Sequence, residues 1–215
     1  MREIAVDELS KILKEHEKWI HTDKKKGKCA DLSGVELVFA DLRGAKLFKA
    51  DLSHARLFGA KLKGANLFGV KLSGAYLRGA ELYKADLSRA KLDRVNLFGA
   101  KLSGAYLRRA KLYKADLNEA KLRNANLSGA FLRRAKLSDA DMFGAKLSGA
   151  DLFGANLSGA DLYRADLSDA DLRGVFYLTI EQLSKVKTLY KAKLDPELIE
   201  QIKDEYPLFF RYLDI

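Results

Sequence analysis

At 215 residues the chain has the length of one domain, and 48% hydrophobic residues are enough to fill a core. Lys and Arg exceed Asp and Glu by 10, which turns attention from basic partners toward nucleic acid, anionic membrane or acidic protein surfaces. A single cysteine, Cys29, excludes an internal disulfide framework, and no apolar run approaches the roughly 20 residues of a membrane-spanning helix.

The first segment, residues 1–29, reads as an N-terminal capping helix and a basic linker. Val6, Leu9, Ile12, Leu13, His16, Trp19 and Ile20 fall on one helical stripe, with Lys11, Lys14, Glu15 and Lys18 opposite. Asp7 is the expected N-cap, and His16 is expected as a packed, hydrogen-bonded residue rather than a ligand. Lys24, Lys25, Lys26 and Lys28 then form a solvated basic loop, and Cys29 is expected as a buried or edge thiol at the cap rather than a reactive one. Arg2, Glu3, Asp7 and Glu8 leave no room for the apolar core of a secretory leader, so the expected location is the cytoplasm.

Residues 30–174 repeat one five-residue phrase. Leu32, Leu37, Leu42 and every fifth residue to Leu172 make 29 consecutive positions, all leucine except Met142. Two residues before each stands alanine, or valine at Val35, Val70 and Val95. Apolar residues in this pattern drift around a 3.6-residue helix and fall on both faces of a flat strand. The chain must therefore turn once per phrase. Four phrases close a square coil of 20 residues with Ala and Leu inward, and coils stacked at about 4.8 Å give about seven coils and a rod on the order of 35 Å long. Gly occupies 15 of the 29 corner positions, as a type II turn requires at its third residue. Where Arg94 or Glu119 stands instead, a different turn type is expected.

In this scheme residues 20 apart are stacked neighbours. Lys71, Lys91 and Lys111 form one column and Arg94, Lys114 and Arg134 another on the same wall. Arg89 and Arg109 flank the first column, and Arg108 and Arg133 add to the region. These ten residues are the candidate anion or partner-binding patch. Residues 30–137 hold 22 Lys and Arg against 9 Asp and Glu, whereas residues 138–174 hold 3 against 7. Outward aromatics form expected ladders at Phe48 and Phe68 and at Val38 and Phe58, while Tyr83, Phe98, Tyr113, Phe131, Phe143, Phe153 and Tyr163 are spread over the rest.

Residues 175–215 form a C-terminal helical cap and apolar tail. Thr179 with Gln182 is a capping box opening a short helix, Leu189 to Leu194 echo the repeat as a last partial strand, and Asp195 with Pro196 starts a second helix. Phe209, Phe210, Tyr212 and Leu213 are the candidate interface of a tail that folds back on the cap or meets another chain.

No chemistry emerges from the motifs. His16, His21 and His54 lack metal-ligand spacing with one another or with Cys29, and no nucleophile elbow, phosphate loop or dinucleotide fingerprint occurs. Outward carboxylates such as Asp139 and Asp141 lie on a convex surface, where catalysis lacks a pocket. The expectation is a non-enzyme with no cofactor and no metal.

The unbroken Ala-(Asp/Asn/Lys)-Leu-x-x register, as in Ala150-Asp151-Leu152-Phe153-Gly154, resembles the pentapeptide-repeat family over two-thirds of the chain. The resemblance implies an all-β solenoid, a right-handed quadrilateral β-helix, with helices at both ends. It also implies a non-catalytic interaction protein; the family's best understood members are acidic, DNA-mimicking modulators of DNA gyrase, dimeric through C-terminal elements. This chain departs from them in its basic middle and in having no loop inserted between residues 30 and 174. The segment from Leu189 to Tyr206 looks like the C-terminal cap of bacterial members. The resulting expectations are, in order, a scaffold or adaptor for an unidentified protein partner, a binder of nucleic acid or anionic lipid, and a gyrase modulator, as a monomer or a dimer formed through the C-terminus.

Overall fold

The structure, a computed structural model, describes residues 2–205; the tail residues Phe209, Phe210, Tyr212 and Leu213 lie outside them. From Asp31 to Asp171 the chain pairs with itself in parallel at a constant offset of 20, as in Asp31 with Asp51 and Asp151 with Asp171. Each phrase ends in a turn, closed by a bond such as that from the Ala110 amide to the Leu107 carbonyl at 3.0 Å. Four turns per 20-residue register give four flat walls. The first wall carries Leu32 and every twentieth residue after it, the second Leu37, the third Leu42 and the fourth Leu47. All these leucines are buried, as is Met142, and the alanines stack between them in one continuous core.

The backbone accounting explains why this phrase suits this coil. Around Leu112, the Lys111 amide donates to Ala90 at 2.9 Å in the coil below, while the Leu112 and Lys114 amides donate to Phe131 and Arg133 in the coil above at 2.8 and 3.0 Å. The amide of the residue after the leucine is left without a ladder partner. Asp or Asn before the leucine supplies it: Asp166 Oδ1 accepts from the Ser168 amide at 3.1 Å, and Asn156 Oδ1 from Ser158 at 2.9 Å. The variable position of the phrase is thus a side-chain cap on its own turn. Where lysine stands there, the coil below can substitute. Tyr113 follows Lys111, and its amide finds Asp93 at 3.2 Å; Ser138 follows Lys136, and its amide finds Asn118 at 2.9 Å.

The corners differ from expectation. All fourteen non-glycine corners, Arg94 and Glu119 among them, adopt positive φ between 54° and 58°, as the glycines do. Stacking is the reason: a corner amide such as that of Arg94 must donate to the Tyr113 carbonyl at 2.8 Å, and another turn type would break the ladder between coils. A side chain in this left-handed region costs roughly 1 kcal/mol.

The first helix, α1, spans Val6–His21. His16 is its buried residue; the ring Nδ1 accepts the Ala30 amide at 3.0 Å, which requires a neutral imidazole, and burial pushes its pKa down. Trp19 stacks on it at 5.4 Å. Leu9, Ile12 and Leu13 pack on the core, but Val6 is exposed. The N-cap is Ala5, without a side-chain bond, and Asp7 lies inside the first turn. The helix thus starts two residues earlier than expected, and just before it Arg2 pairs with Val35 and accepts the Glu36 amide at 3.0 Å. The linker lysines are exposed; Cys29 is exposed as well, its thiol pKa raised by partial desolvation.

At the other end α2 spans Ile180–Ser184, opened by the Thr179 and Gln182 capping box. The Gln182 amide also donates to the Leu157 and Ala160 carbonyls, both at 2.9 Å. Leu189 and Ala192 re-enter the core, and Asp171 pairs with Lys193 at an offset lengthened by two residues. The last helix, α3, spans Pro196–Glu205. Asp195 spends its carboxylate on the Gly174 amide, at 2.8 and 3.0 Å, so its side chain ties helix to coil.

Candidate binding wall

The first wall and its two corners collect most of the candidate cations because the offset of 20 places them there. Lys71 pairs with Lys91 and Lys91 with Lys111 in successive coils. Arg94, Lys114 and Arg134 stand at the corner where the wall ends, and Arg89 and Arg109 at the corner where it begins, all in the left-handed region. Arg108 lies one residue back on the fourth wall. All ten side chains, Arg133 included, are exposed.

Two of them are neutralised locally. Lys71 meets Asp51 at 2.8 Å, which raises the lysine pKa. Arg133 meets Asp151 at 2.6 Å and lies over the Phe153 ring at 5.4 Å. Among the described residues no carboxylate pairs with the other eight. Arg89 covers Phe68 at 5.7 Å and Lys114 covers Tyr113 at 5.2 Å, and Lys114, aided by Arg134, pulls the Tyr113 phenol pKa down. The one acid of this stretch of wall, Asp93, is turned onto the Tyr113 amide.

Aromatics sort into two classes. Phe48 stacks on Phe68 at 5.7 Å as expected, and Phe143 on Tyr163 at 5.5 Å. Phe58 takes a different partner from that expected: Phe39, at a corner, meets it edge-on at 5.3 Å. Arg78, Arg123 and Arg164 cover Phe98, Phe143 and Tyr163 at 4.7, 4.2 and 5.3 Å. Two rings beside the cations have no such partner: Phe131, directly above Lys111 and 46% exposed, and Tyr106, 50% exposed on the fourth wall beside Arg108. Tyr106 escapes a reading of the sequence because it holds the position where polar residues are the rule.

The acids of residues 138–174 are largely committed to local bonds. Asp141, Asp151, Asp161, Asp166 and Asp171 each accept the amide two residues on. Asp141 also faces Arg123 at 3.4 Å and Asp171 faces Arg173 at 2.7 Å, and Asp139 and Asp169 stand at corners. The described residues hold no cluster of side chains able to bind a metal and no helix long and apolar enough to cross a membrane.

A four-walled solenoid of five-residue phrases, presenting flat charged walls, is the class these features define. The model of pentapeptide repeats matches residues 28–64, 60–99, 100–139 and 140–176 with eight copies, and the chain belongs to that family, whose fold is the right-handed quadrilateral β-helix. Among solved structures, the chain is similar to HetL, a pentapeptide repeat protein involved in heterocyst differentiation regulation in the cyanobacterium Nostoc, at 30% identity over 88% of this chain and 94% of that one, with a TM-score of 0.35. It is similar to a pentapeptide repeat protein of the Arabidopsis thaliana thylakoid lumen at 36% identity over 48% and 68%, with a TM-score of 0.33. The plasmid-mediated fluoroquinolone resistance protein QnrB1 matches at 21% identity over 81% and 97%, with a TM-score of 0.43. No curated protein matches significantly.

Proposed function

We propose that the chain is a non-catalytic cytoplasmic scaffold, a rigid rod of about seven coils whose first wall recruits an acidic protein partner. On this reading residues 30–174 carry the surface, and residues 1–29 and 175–215 close its ends, covering core and strand edges that would otherwise aggregate. The observation that carries the reading is the set of eight exposed cations without a carboxylate partner around the first wall, on a stretch of wall whose one acid, Asp93, is turned onto the Tyr113 amide. Five of those cations occupy left-handed corners, where glycine would cost less. Charge is kept there against backbone preference, which supports a use for it.

The test is a pull-down of the tagged protein from lysate of its own source, with and without nuclease, beside the Arg109→Glu, Lys111→Glu, Arg134→Glu variant. A stoichiometric protein that survives nuclease and is lost with the variant is the expected result. A partner that binds the variant equally well overturns the basic wall.

One observation favours nucleic acid as a second reading: Tyr106 and Phe131 stand exposed and unstacked beside the cations, as bases require. Capture would then vanish with nuclease, and affinity would fall roughly 10³-fold or more between 50 and 200 mM salt if six or more phosphates are contacted. Gyrase modulation by DNA mimicry finds less support, because the middle of the rod is basic and the rod's acids outnumber its cations only over residues 138–174.

A further inference from the structure

The first wall carries its own complement. Read up the column before the leucines, it runs Asp31, Asp51, Lys71, Lys91, Lys111, Phe131, Asp151, Asp171, each pairing with the next at one coil spacing. A cation ladder and an acid ladder of identical pitch stand on one flat face, separated by an exposed ring. We propose that two copies of this chain pair first wall to first wall, antiparallel, about a two-fold axis that lies in the interface and passes Phe131. The proposal rests on the interaction-rod reading and names its partner as a second copy.

The register follows from charge. With Phe131 facing its own copy, Lys111 meets Asp151 of the second copy and Lys91 meets Asp171. In the corner column Arg89 meets Asp169, and in the column after the leucines Asp93 meets Arg173 while Tyr113 meets Phe153. Symmetry makes each contact twice. Three like-charge meetings remain: Lys71 with Lys193, the rung above Asp171, where Lys71 is held by Asp51 at 2.8 Å, and two at the axis. Arg133 faces its own copy but is held by Asp151 at 2.6 Å, and Arg134 faces its copy at the wall's edge, where solvent screens it. Asp151 and Asp171 accept a second cation without leaving their own arginines, since a carboxylate has about four acceptor positions.

The neighbouring registers lose part of this match. Sliding one copy by one coil keeps two ion pairs in the main column, Lys91 with Asp151 and Lys71 with Asp171, but lays Phe131 over Lys111, sets Arg89 against Gly149 instead of Asp169, and brings Lys114 against Arg134. Sliding it the other way leaves Lys111 with Asp171 as the sole ion pair of the main column and sets Phe131 against Asp151. A parallel pair sets the column before the leucines against the column after them, so that Lys111 meets Tyr113 and Phe131 meets Arg133, and the cation and acid ladders no longer face each other. The footprint is about five coils, roughly 24 Å by one wall width, which falls short of the roughly 800 Å² per partner of a standard interface. The pair is therefore weak, salt-sensitive and concentration-dependent.

The test is sedimentation of the full chain across concentration at 50 and 500 mM salt, with two charge-reversed variants, Lys91→Glu with Lys111→Glu and Asp151→Lys with Asp171→Lys. Each variant alone places like charges on every rung and stays monomeric. Mixed, they oppose unlike charges on every rung and form a one-to-one heterodimer, a result that misfolded variants could not give. In a Cys29→Ser background, Phe131→Cys joins to itself through a short bis-maleimide, and Lys111→Cys does not. A wild-type chain that is monomeric at low salt, a dimer that both variants retain, or a mixture that fails to associate overturns the proposal. Capture of a foreign partner by a wild-type chain that never self-associates sinks the self-pairing alone; loss of capture and self-association together sinks the interaction-rod reading as well.

Discussion

The coils around Lys91 and Lys111 and those around Asp151 and Asp171 share one backbone, one core and one turn, yet their polar side chains do opposite things. In the acidic coils the residue before the leucine caps the amide two positions on and commonly holds an arginine as well. In the basic coils the same position holds a lysine that reaches into solvent, and the turn amide can go instead to the coil below, as the Tyr113 amide goes to Asp93. Aspartate in this phrase is therefore structural even where it makes the surface acidic. Lysine there contributes little to the coil, and the unbroken run of Lys71, Lys91 and Lys111 in successive coils of the first wall is what the proposed association would use.

If the two regions truly share a core, deep truncations must cost the same in both. Leu112→Ala and Leu152→Ala each remove a buried side chain and are expected to lose about 2 to 5 kcal/mol, read by urea unfolding at 500 mM salt. A cost confined to one of them would show that the coils differ beneath the surface. The corners sharpen the contrast at a smaller scale. Arg109 and Gly149 belong to one corner column, at φ 54° and 64°, with open space around the glycine. Arg109→Gly should stabilise the chain and Gly149→Ala destabilise it, each by about 1 kcal/mol. Equal and opposite midpoint shifts would show that the basic wall keeps its charge at a cost; a destabilised Arg109→Gly would show that the arginine supports the fold.

Most of the fold was legible because one constraint repeats. Leucine every fifth residue, with alanine two before it, admits a coil that turns every five residues, and the offset of 20 then gives each side chain an address. The column of Lys71, Lys91 and Lys111 was readable for that reason. What stayed hidden was whatever depends on two coils at once. Arg94 and Glu119 were expected to change the turn because a turn considered alone allows several types, whereas amides bonded to the next coil allow one. Asp7 was expected to cap α1, but the helix begins two residues earlier, with Ala5 as its cap and Asp7 inside its first turn. Which cations are neutralised depends on reach: Lys71 finds Asp51 across 20 residues and Arg133 finds Asp151 across 18, distances in sequence that no local motif announces.

The turn cap gives the next smaller effect. Asp166→Ala strips the Ser168 amide of its acceptor and is expected to cost about 0.5 to 1.5 kcal/mol. Lys91→Ala, at the same place in the phrase, is expected to cost nothing measurable and to gain a few tenths by relieving repulsion from Lys71 and Lys111. Similar losses in both variants would remove the distinction between structural aspartate and unused lysine.

The smallest effect is the most specific, because it asks whether a basic phrase can be converted to the acidic region's logic. Lys136 leaves the Ser138 amide to Asn118 of the coil below, at 2.9 Å. Lys136→Asn offers that amide an acceptor within its own phrase, as Asn156 does for Ser158, and on its own should be nearly neutral, since one bond replaces another. Asn118→Ala in the native background should cost on the order of 1 kcal/mol, the loss of the same bond. Combined, the two substitutions should cost less than their sum by about 0.5 to 1 kcal/mol, a coupling that a double-mutant cycle resolves. Simple additivity would mean that water already serves the amide, and that the aspartates of the acidic coils stabilise their turns through charge or packing rather than by satisfying a backbone donor.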